Sequence, residues 1–279
     1  MVKKIAPLVL FVFISALQPF AYCDSYVDDG FTSLFNGEDF DGWNLKIRGG
    51  EPGEAAKVFA IADGGGMVHV FKNYPDGFEL NTGNSYTHGL MYTEKSYSKY
   101  IFRFEYKWGE KRTNNFKQFQ YDAGMYYHVY NDKIWPWGLE YQVRYNHVTD
   151  ENHTGDYWAS KVEMQWFSDD EGKYFVAPWK GGKPQEIRGG EHRASPDVEY
   201  HALDGGWNKC EVIVMADQYS IHKLNGKIVN YATDFDQSEG IIGLQSETAE
   251  IFYRNIEIKE FDEIIPAEHF LKKEGCYNK

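Results

Sequence analysis

The chain has 279 residues, a formal charge of -13 at pH 7 and a mean hydropathy of -0.58. Such an acidic chain does not grip nucleic acid or anionic lipid through bulk charge, and the hydropathy excludes a multi-span membrane protein. Aromatics at 17% and 27 Gly favour strands and tight turns over helices.

Residues 1–23 read as an export signal. Lys3 and Lys4 are basic, Ile5 to Leu17 is apolar but short for a bilayer span, and Pro19 and Ala21 mark a cleavage region. Phe20-Ala21-Tyr22-Cys23 resembles a lipobox, although Tyr22 stands where a small residue is preferred. The expectation is an exported, periplasmic or cell-envelope protein with no transmembrane span, in which Cys23 is a candidate lipid anchor. Removing residues 1–23 takes away two Lys and moves the charge to -15.

Phe31 to Gly37 predicts a strand and an Asn-Gly turn, with Trp43 as an aromatic anchor. Val58 to Ala62 and Met67 to Val70 flank a Gly-rich turn, a predicted hairpin. Gly89 to Thr93 and Tyr100 to Trp108 are further strands, followed by a polar loop over 109–121 and strands at 124–130 and 138–145. Residues 146–160 show no period. Lys161 to Phe167 and Tyr174 to Ala177 bracket another turn, and 178–200 is a polar, Gly- and Pro-containing excursion. Trp207 to Ala216, Gln218 to Lys223 and Lys227 to Ala232 follow, with Asn225-Gly226 as a hairpin turn. Ile241 to Gln245 and Ile251 to Ile258 close the set. Many short strands joined by Gly-rich turns predict an all-β, antiparallel sandwich or jelly roll over 28–262, with a polar tail at 263–279. The three cysteines (Cys23, Cys210, Cys276) make no disulfide scaffold or metal finger, and Cys210 reads as a buried thiol.

Three segments alternate with a period of two: Arg103 to Lys107, Gly124 to His128 and Leu139 to Arg144. Successive side chains of a strand point to opposite faces. One face then collects Phe104, Tyr106, Tyr127, Leu139, Tyr141 and Val143. The other collects Arg103, Glu105, Lys107, His128, Glu140, Gln142 and Arg144. An imidazole, carboxylates, an amide and cations on one face predict a polar binding surface suited to sugar chemistry.

The ordered motifs resemble a known family. Leu34-Phe35-Asn36-Gly37 with Asp41-Gly42-Trp43 is similar to its opening, and Phe104-Glu105-Tyr106-Lys107-Trp108-Gly109 to its second motif. Leu139-Glu140-Tyr141-Gln142-Val143, Trp207-Asn208, Leu224 to Lys227, Gly240 to Glu247 and Tyr253 to Ile256 follow in order. The family is the 3-keto-disaccharide hydrolase group, long called domain of unknown function 1080. The resemblance implies a concanavalin A-like lectin/glucanase sandwich. It also implies action on 3-keto-glycosides or 3-keto-disaccharides supplied by a partner sugar 3-oxidoreductase. Two departures are a longer excursion at 178–206 and Thr248, where many relatives carry Gly.

A 3-keto group acidifies the C2 hydrogen. A base can remove it, the enolate can expel the C1 substituent with help from an acid, and water can then add. Glu140, His128, Glu247 and Lys107 are the expected catalytic residues, with Lys107 beside the enolate oxygen. Glu105, Gln142, Arg144, Trp108, Gln245 and Arg254 are the expected substrate contacts. Arg254 either packs its stem beneath the sheet or is turned toward the site by a bulge. Trp135, Trp137 and Trp158 join Trp108 as candidates for stacking on sugar rings. The loop from His147 to Asp156 gathers two His and three acids, and Asp156 with His147 is the candidate site for a divalent metal. The competing reading is a noncatalytic carbohydrate-binding module. An ordinary retaining glycosidase is disfavoured, because no Glu-x-Asp-x-x-Glu strand occurs. A serine elbow, a phosphate loop and a dinucleotide fingerprint are also absent.

Overall fold

The computed structural model describes residues 29–49, 53–76, 87–113 and 121–271. The export signal, Cys23 and Cys276 lie outside the described residues. The strands in chain order are β1 (Thr32–Ser33), β2 (Trp43–Ile47), β3 (Phe59–Ile61), β4 (Val68–Val70), β5 (Gly89–Tyr97), β6 (Lys99–Arg112), β7 (Tyr121–Val129), β8 (Gly138–Asn146) and β9 (Glu151–Asn152). They continue as β10 (Tyr157–Ser160), β11 (Met164–Ser168), β12 (Lys183–Ile187), β13 (Gly190–His192), β14 (Asn208–Met215), β15 (Tyr219–Leu224), β16 (Lys227–Thr233), β17 (Gly240–Ser246) and β18 (Ala249–Glu260). The described helices are single turns, and none is long and apolar enough to cross a membrane.

These strands form two antiparallel sheets, as the alternation and the turn residues predict. A ten-stranded sheet runs β12-β11-β16-β15-β14-β6-β18-β4-β3, with β1 added on β18. An eight-stranded sheet runs β13-β10-β8-β7-β17-β5-β2, with β9 added on β8. The predicted turns close their hairpins. Asn225 and Gly226 take φ of 49° and 83° between β15 and β16, the left-handed pair that a tight hairpin needs.

Between the sheets lies a core rich in aromatics, including Phe102, Phe104, Tyr106 and Tyr253 from one side and Met125, Tyr127, Tyr141 and Leu244 from the other. Buried tyrosine hydroxyls need partners, and here several tie the two sheets together. Tyr127 bonds to Ser220 and His222 at 2.9 Å each, Tyr141 to the Lys223 carbonyl at 3.0 Å, and Tyr253 to the Gln245 carbonyl at 2.7 Å. Tyr106 reaches the Thr154 hydroxyl at 2.8 Å. The last two bonds fix β17 and the loop after β9, which carry residues of the site described below. Trp108, an expected substrate contact, is placed in this core instead, edge-on to Tyr106 and Tyr121. Cys210 is a buried free thiol, as its strand pattern predicts. In the C-terminal segment Ile265 packs on the core and Phe270 is buried.

The single polar face expected from alternation is divided. β6 lies in the ten-stranded sheet, whereas β7 and β8 lie in the other. Arg103, Glu105 and Lys107 therefore point away from Glu140, Gln142 and Arg144, on opposite sides of the sandwich. The parity is right in both segments, but period two cannot say which sheet a strand joins.

Candidate active site

The outer face of the eight-stranded sheet carries a buried carboxylate cluster. In β8 the outward residues are Glu140, Gln142 and Arg144, each at most 6% exposed. In β7 they are Asp122, Gly124 and Tyr126, which pair with Arg144, Gln142 and Glu140 in turn. Gln245 and Glu247 come from the end of β17, and His88 precedes β5. The loop after β7 folds back over this face: Tyr92 Oη donates to the Lys133 carbonyl at 2.6 Å, and Ile134 packs against the cluster of Leu90, Tyr92, Tyr126 and Val129.

Gly124 makes room for the Glu140 side chain. A Cβ there would stand 2.0 Å from Glu140 Oε1 and 2.8 Å from its Cγ. Tyr126 donates its hydroxyl to Glu140. Asp122 accepts from Gln142 Nε2 at 2.5 Å and faces Arg144 Nη1 at 3.8 Å. Its own backbone N–H donates to Thr248 Oγ1 at 2.8 Å, so this departure from the family pattern braces the site. Gln245 Oε1 is buried with no hydrogen-bond partner.

Three carboxyls share this space, with the Arg144 guanidinium beside them and Arg48 acting on Glu247. Burial, joined by the Asp122 charge and opposed by the Tyr126 hydrogen bond and Arg144, pushes Glu140 up to about 8. Burial and the charge of Glu140 push Glu247 up to about 8. Burial and Glu247 hold Asp122 well above the carboxylate range. Arg144 is itself drawn toward Glu191, which bonds to its Nη2. Burial works against the Glu191 charge, but His153 and Arg144 outweigh it and bring this carboxyl down to about 2. The cluster therefore holds its protons at neutral pH and begins to give them up in mildly alkaline solution.

Glu191 arrives on β13, which pairs with β10 and places it opposite Trp158, itself opposite Glu140 on β8. The excursion at 178–206 thus contributes to the site. Beyond it, His153 Nδ1 lies 2.8 Å from Arg144 Nη2, 3.1 Å from Asp156 and 3.2 Å from Glu191. Asp156 is 1% exposed and accepts from the Ala194 N–H at 2.6 Å, with Arg193 Nε at 3.0 Å.

His153, Asp156 and Glu191 present ligand atoms within 4.8 Å of one another, and one imidazole with two carboxylates is a donor set that fits a divalent cation. Asp156 stands in this group as expected. His147 does not; its ring packs edge-on against Tyr121.

Two exposed indoles flank the carboxyls. Trp158, 39% exposed, stands beside Glu140. Trp135, 37% exposed, meets the His88 ring edge-on at 4.8 Å and lies under Arg48 at 4.1 Å. His88 Nε2 is 3.9 Å from Glu247, and burial with Arg48 nearby lowers His88 to about 4, so its imidazole is neutral. A cleft of about 490 Å³ opens on this side, lined by Lys46, Arg48, Asp132 and Ile134 among others.

Glu140, Glu247, Gln142, Arg144 and Gln245 meet as expected, and other expected residues do not join them. His128 has outward parity, but φ of 52° beside a register shift between β17 and β7 turns its ring inward. There it is fully buried, 3.1 Å from the Ala216 carbonyl and against Phe235. Lys107 lies over Trp207 and Phe252 on the far sheet. Glu105 and Arg254 pair at 2.8 Å on that same far face. A bulge does redirect Arg254, at Asn255 with φ of 51°, but away from the cluster. Asp122, His88 and Glu191 were missed. Asp122 shares parity with Gly124 and Tyr126, a usable signal. His88 and Glu191 lie in segments without alternation.

The fold and site define a two-sheet sandwich whose eight-stranded face carries a desolvated carboxylate cluster between indoles. The profile of the 3-keto-alpha-glucoside-1,2-lyase-like domain matches residues 30–259, and the chain belongs to this family. Membership points to a carbohydrate-active function. Among solved structures, two from Parabacteroides distasonis ATCC 8503, both named provisionally as glycosyl hydrolases, share 22% and 18% identity. They cover 84% and 83% of this chain and 94% and 99% of their own, each with a TM-score of 0.48. The Bacillus licheniformis beta-glucanase is 9% identical, with coverage of 83% and 97% and a TM-score of 0.44. No curated protein matches the chain.

Proposed function

We propose that this protein is an exported enzyme that cleaves 3-keto-glycosides by C2 deprotonation, elimination at C1 and addition of water. The observation that carries the reading is the pair Glu140 and Glu247, the first buried and the second slightly exposed, set between exposed indoles and both pushed up to about 8. As pH rises toward 8 one of the two gives up its proton and its new charge keeps the other protonated, which leaves one as base and one as acid.

Glu140, whose carboxylate form is favoured by the Tyr126 hydroxyl, is assigned as the base that takes the C2 proton. The C2–H electron pair moves toward the 3-keto oxygen as an enolate. Arg144 is the cation of this face nearest the cluster and is assigned to that developing charge. Collapse of the enolate breaks the C1–O bond, and Glu247 gives its proton to the leaving oxygen. Water then adds at C1, its proton passing to Glu247, while C2 regains a proton from Glu140. The two carboxyls finish as they began, and the net change is hydrolysis. Trp158 and Trp135 are assigned as platforms for sugar rings on either side of the pair.

A divalent cation bound by His153, Asp156 and Glu191 would add positive charge behind Arg144. A sugar 3-oxidoreductase is the class of enzyme that must supply the keto substrate. The signal-like residues 1–23 support export, with Cys23 as a candidate lipid anchor.

The test is product formation from a 3-keto-glucoside and from its unoxidised parent, each with and without EDTA. Cleavage of the keto substrate alone is expected. Failure on several keto-glycosides with retained sugar binding would leave the binding-module reading, and cleavage of the parent would discard the enolate route.

A further inference from the structure

The far face of the sandwich holds a second hollow, of about 420 Å³, which the carboxylate chemistry does not use. We infer that it is a separate binding site for neutral oligosaccharides, with Trp207 as its aromatic wall. The hollow is lined by Arg103, Glu105, Trp207, Lys209, Glu211 and Asn225, among others. Three strands of the ten-stranded sheet, β6, β14 and β15, form its floor, and β18 borders it.

Its charges form a balanced checkerboard. In one row across the sheet, Glu257, Arg103, Glu211 and Lys223 stand opposite one another in turn. In the next row, Arg254, Glu105 and Lys209 do the same. Arg103 Nε is 2.5 Å from Glu257, Lys223 Nζ is 2.8 Å from Glu211, and Arg254 Nε is 2.8 Å from Glu105. These pairs hold the side chains in fixed positions. Arg254 also lies 3.8 Å from the centre of the Trp207 ring, and Lys107 lies 5.1 Å from it. Both cations thus pack against the indole. The bulge at Asn255 interrupts the ladder between Arg254 and Glu257 and contributes Asn255 to the lining.

The ligand class follows from this chemistry. Donors and acceptors alternate at close spacing, as vicinal hydroxyls require, since each hydroxyl both gives and accepts a hydrogen bond. An anionic ligand would meet Glu105, Glu211 and Glu257, and a cationic one would meet Arg103, Lys209 and Lys223. A neutral polyhydroxyl compound meets no repulsion from either set, and an indole edge or face suits its C–H surface. The hollow and the acid cluster belong to opposite sheets, so one oligosaccharide could be held on the far face while the cluster stays open.

The experiment is calorimetric titration of the full chain with unoxidised cellohexaose, maltohexaose and laminarihexaose. At least one is expected to bind. Trp207→Ala is expected to weaken that binding about tenfold or more, and Trp158→Ala on the acid face less than twofold. Lys209→Ala, which removes an exposed side chain with no ion pair among the described residues, should weaken it severalfold at an unchanged melting temperature. This second variant keeps the test decisive where loss of the Trp207 indole disturbs folding. Absence of binding to all three sugars at millimolar concentration overturns the inference. So does binding that depends on Trp158 as much as on Trp207 and Lys209, which would place it at the acid cluster. No turnover is read, so the outcome is independent of the keto-glycoside chemistry.

Discussion

The two outer faces of this sandwich use nearly the same residues to opposite effect. Each is built from strands that alternate apolar side chains with Glu, Arg and their polar companions. On the ten-stranded face cations match the carboxylates, as in Glu105 with Arg254, Glu211 with Lys223 and Glu257 with Arg103. On the eight-stranded face Asp122, Glu140 and Glu247 crowd together beside Arg144, which Glu191 already engages, and burial outweighs the cations near them. Charge balance gives a stable surface. Charge excess with burial gives raised pKa values and stored protons, which acid–base chemistry uses.

The largest effect expected is from Glu140→Gln. It keeps the shape and removes the base, so turnover of a 3-keto-glucoside should fall about 10²- to 10⁴-fold. The same change is expected to raise stability in alkaline solution. Glu140 is held near 8 in the folded protein against an ordinary 4.5. Between those values the native state keeps a proton that the unfolded chain has lost, so stability falls as pH rises through this window. Removing the carboxyl removes that loss. Thermal melts should show Glu140→Gln gaining on the parent from pH 5 to pH 8, and parallel curves would refute the burial argument. Glu250 and Glu191, both down near 2, act in the other direction and contribute stability that disappears in acid.

Gly124→Ala is next. Its new methyl group would occupy the position of the Glu140 carboxylate, so that group must swing off its Tyr126 hydrogen bond. A misplacement of about 1 Å can cost on the order of 10²-fold in rate. A kcat close to that of the parent would show that Glu140 is not held where the base must be. Trp158→Ala ranks third, with KM for a keto-disaccharide up about tenfold and kcat changed little, as loss of a ring platform implies.

Much of this organisation was legible in the sequence. Turn residues such as Asn225-Gly226 and the two-residue period of β6, β7 and β8 define strands, inner faces and outer faces. Glu140, Gln142, Arg144, Gln245 and Glu247 are on the expected side. Three things were not legible. Sheet membership depends on pairings between distant strands, so β6 could not be separated from β7 and β8. A single left-handed residue, His128, reverses an alternation that is otherwise exact in composition. His88 and Glu191 reach the cluster through tertiary placement, which no local period records.

The smallest effect sharpens the comparison most. Lys107 was an expected enolate partner by parity, yet it lies on the far face over Trp207 and Phe252. Lys107→Ala should therefore change kcat and KM for a small 3-keto-glucoside by less than about twofold, and Glu105→Gln likewise. The Glu105–Arg254 pair is partly exposed, with side-chain exposures of 13% and 36%. Screening and lost side-chain freedom limit such pairs to roughly 0.2–1 kcal/mol. A double-mutant cycle on Glu105 and Arg254, read by urea melts, should return a coupling in that range and no change in catalytic pH profile. A shift of that profile in either variant would mean that the two faces communicate through the core, and the division between a catalytic face and a noncatalytic one would fail.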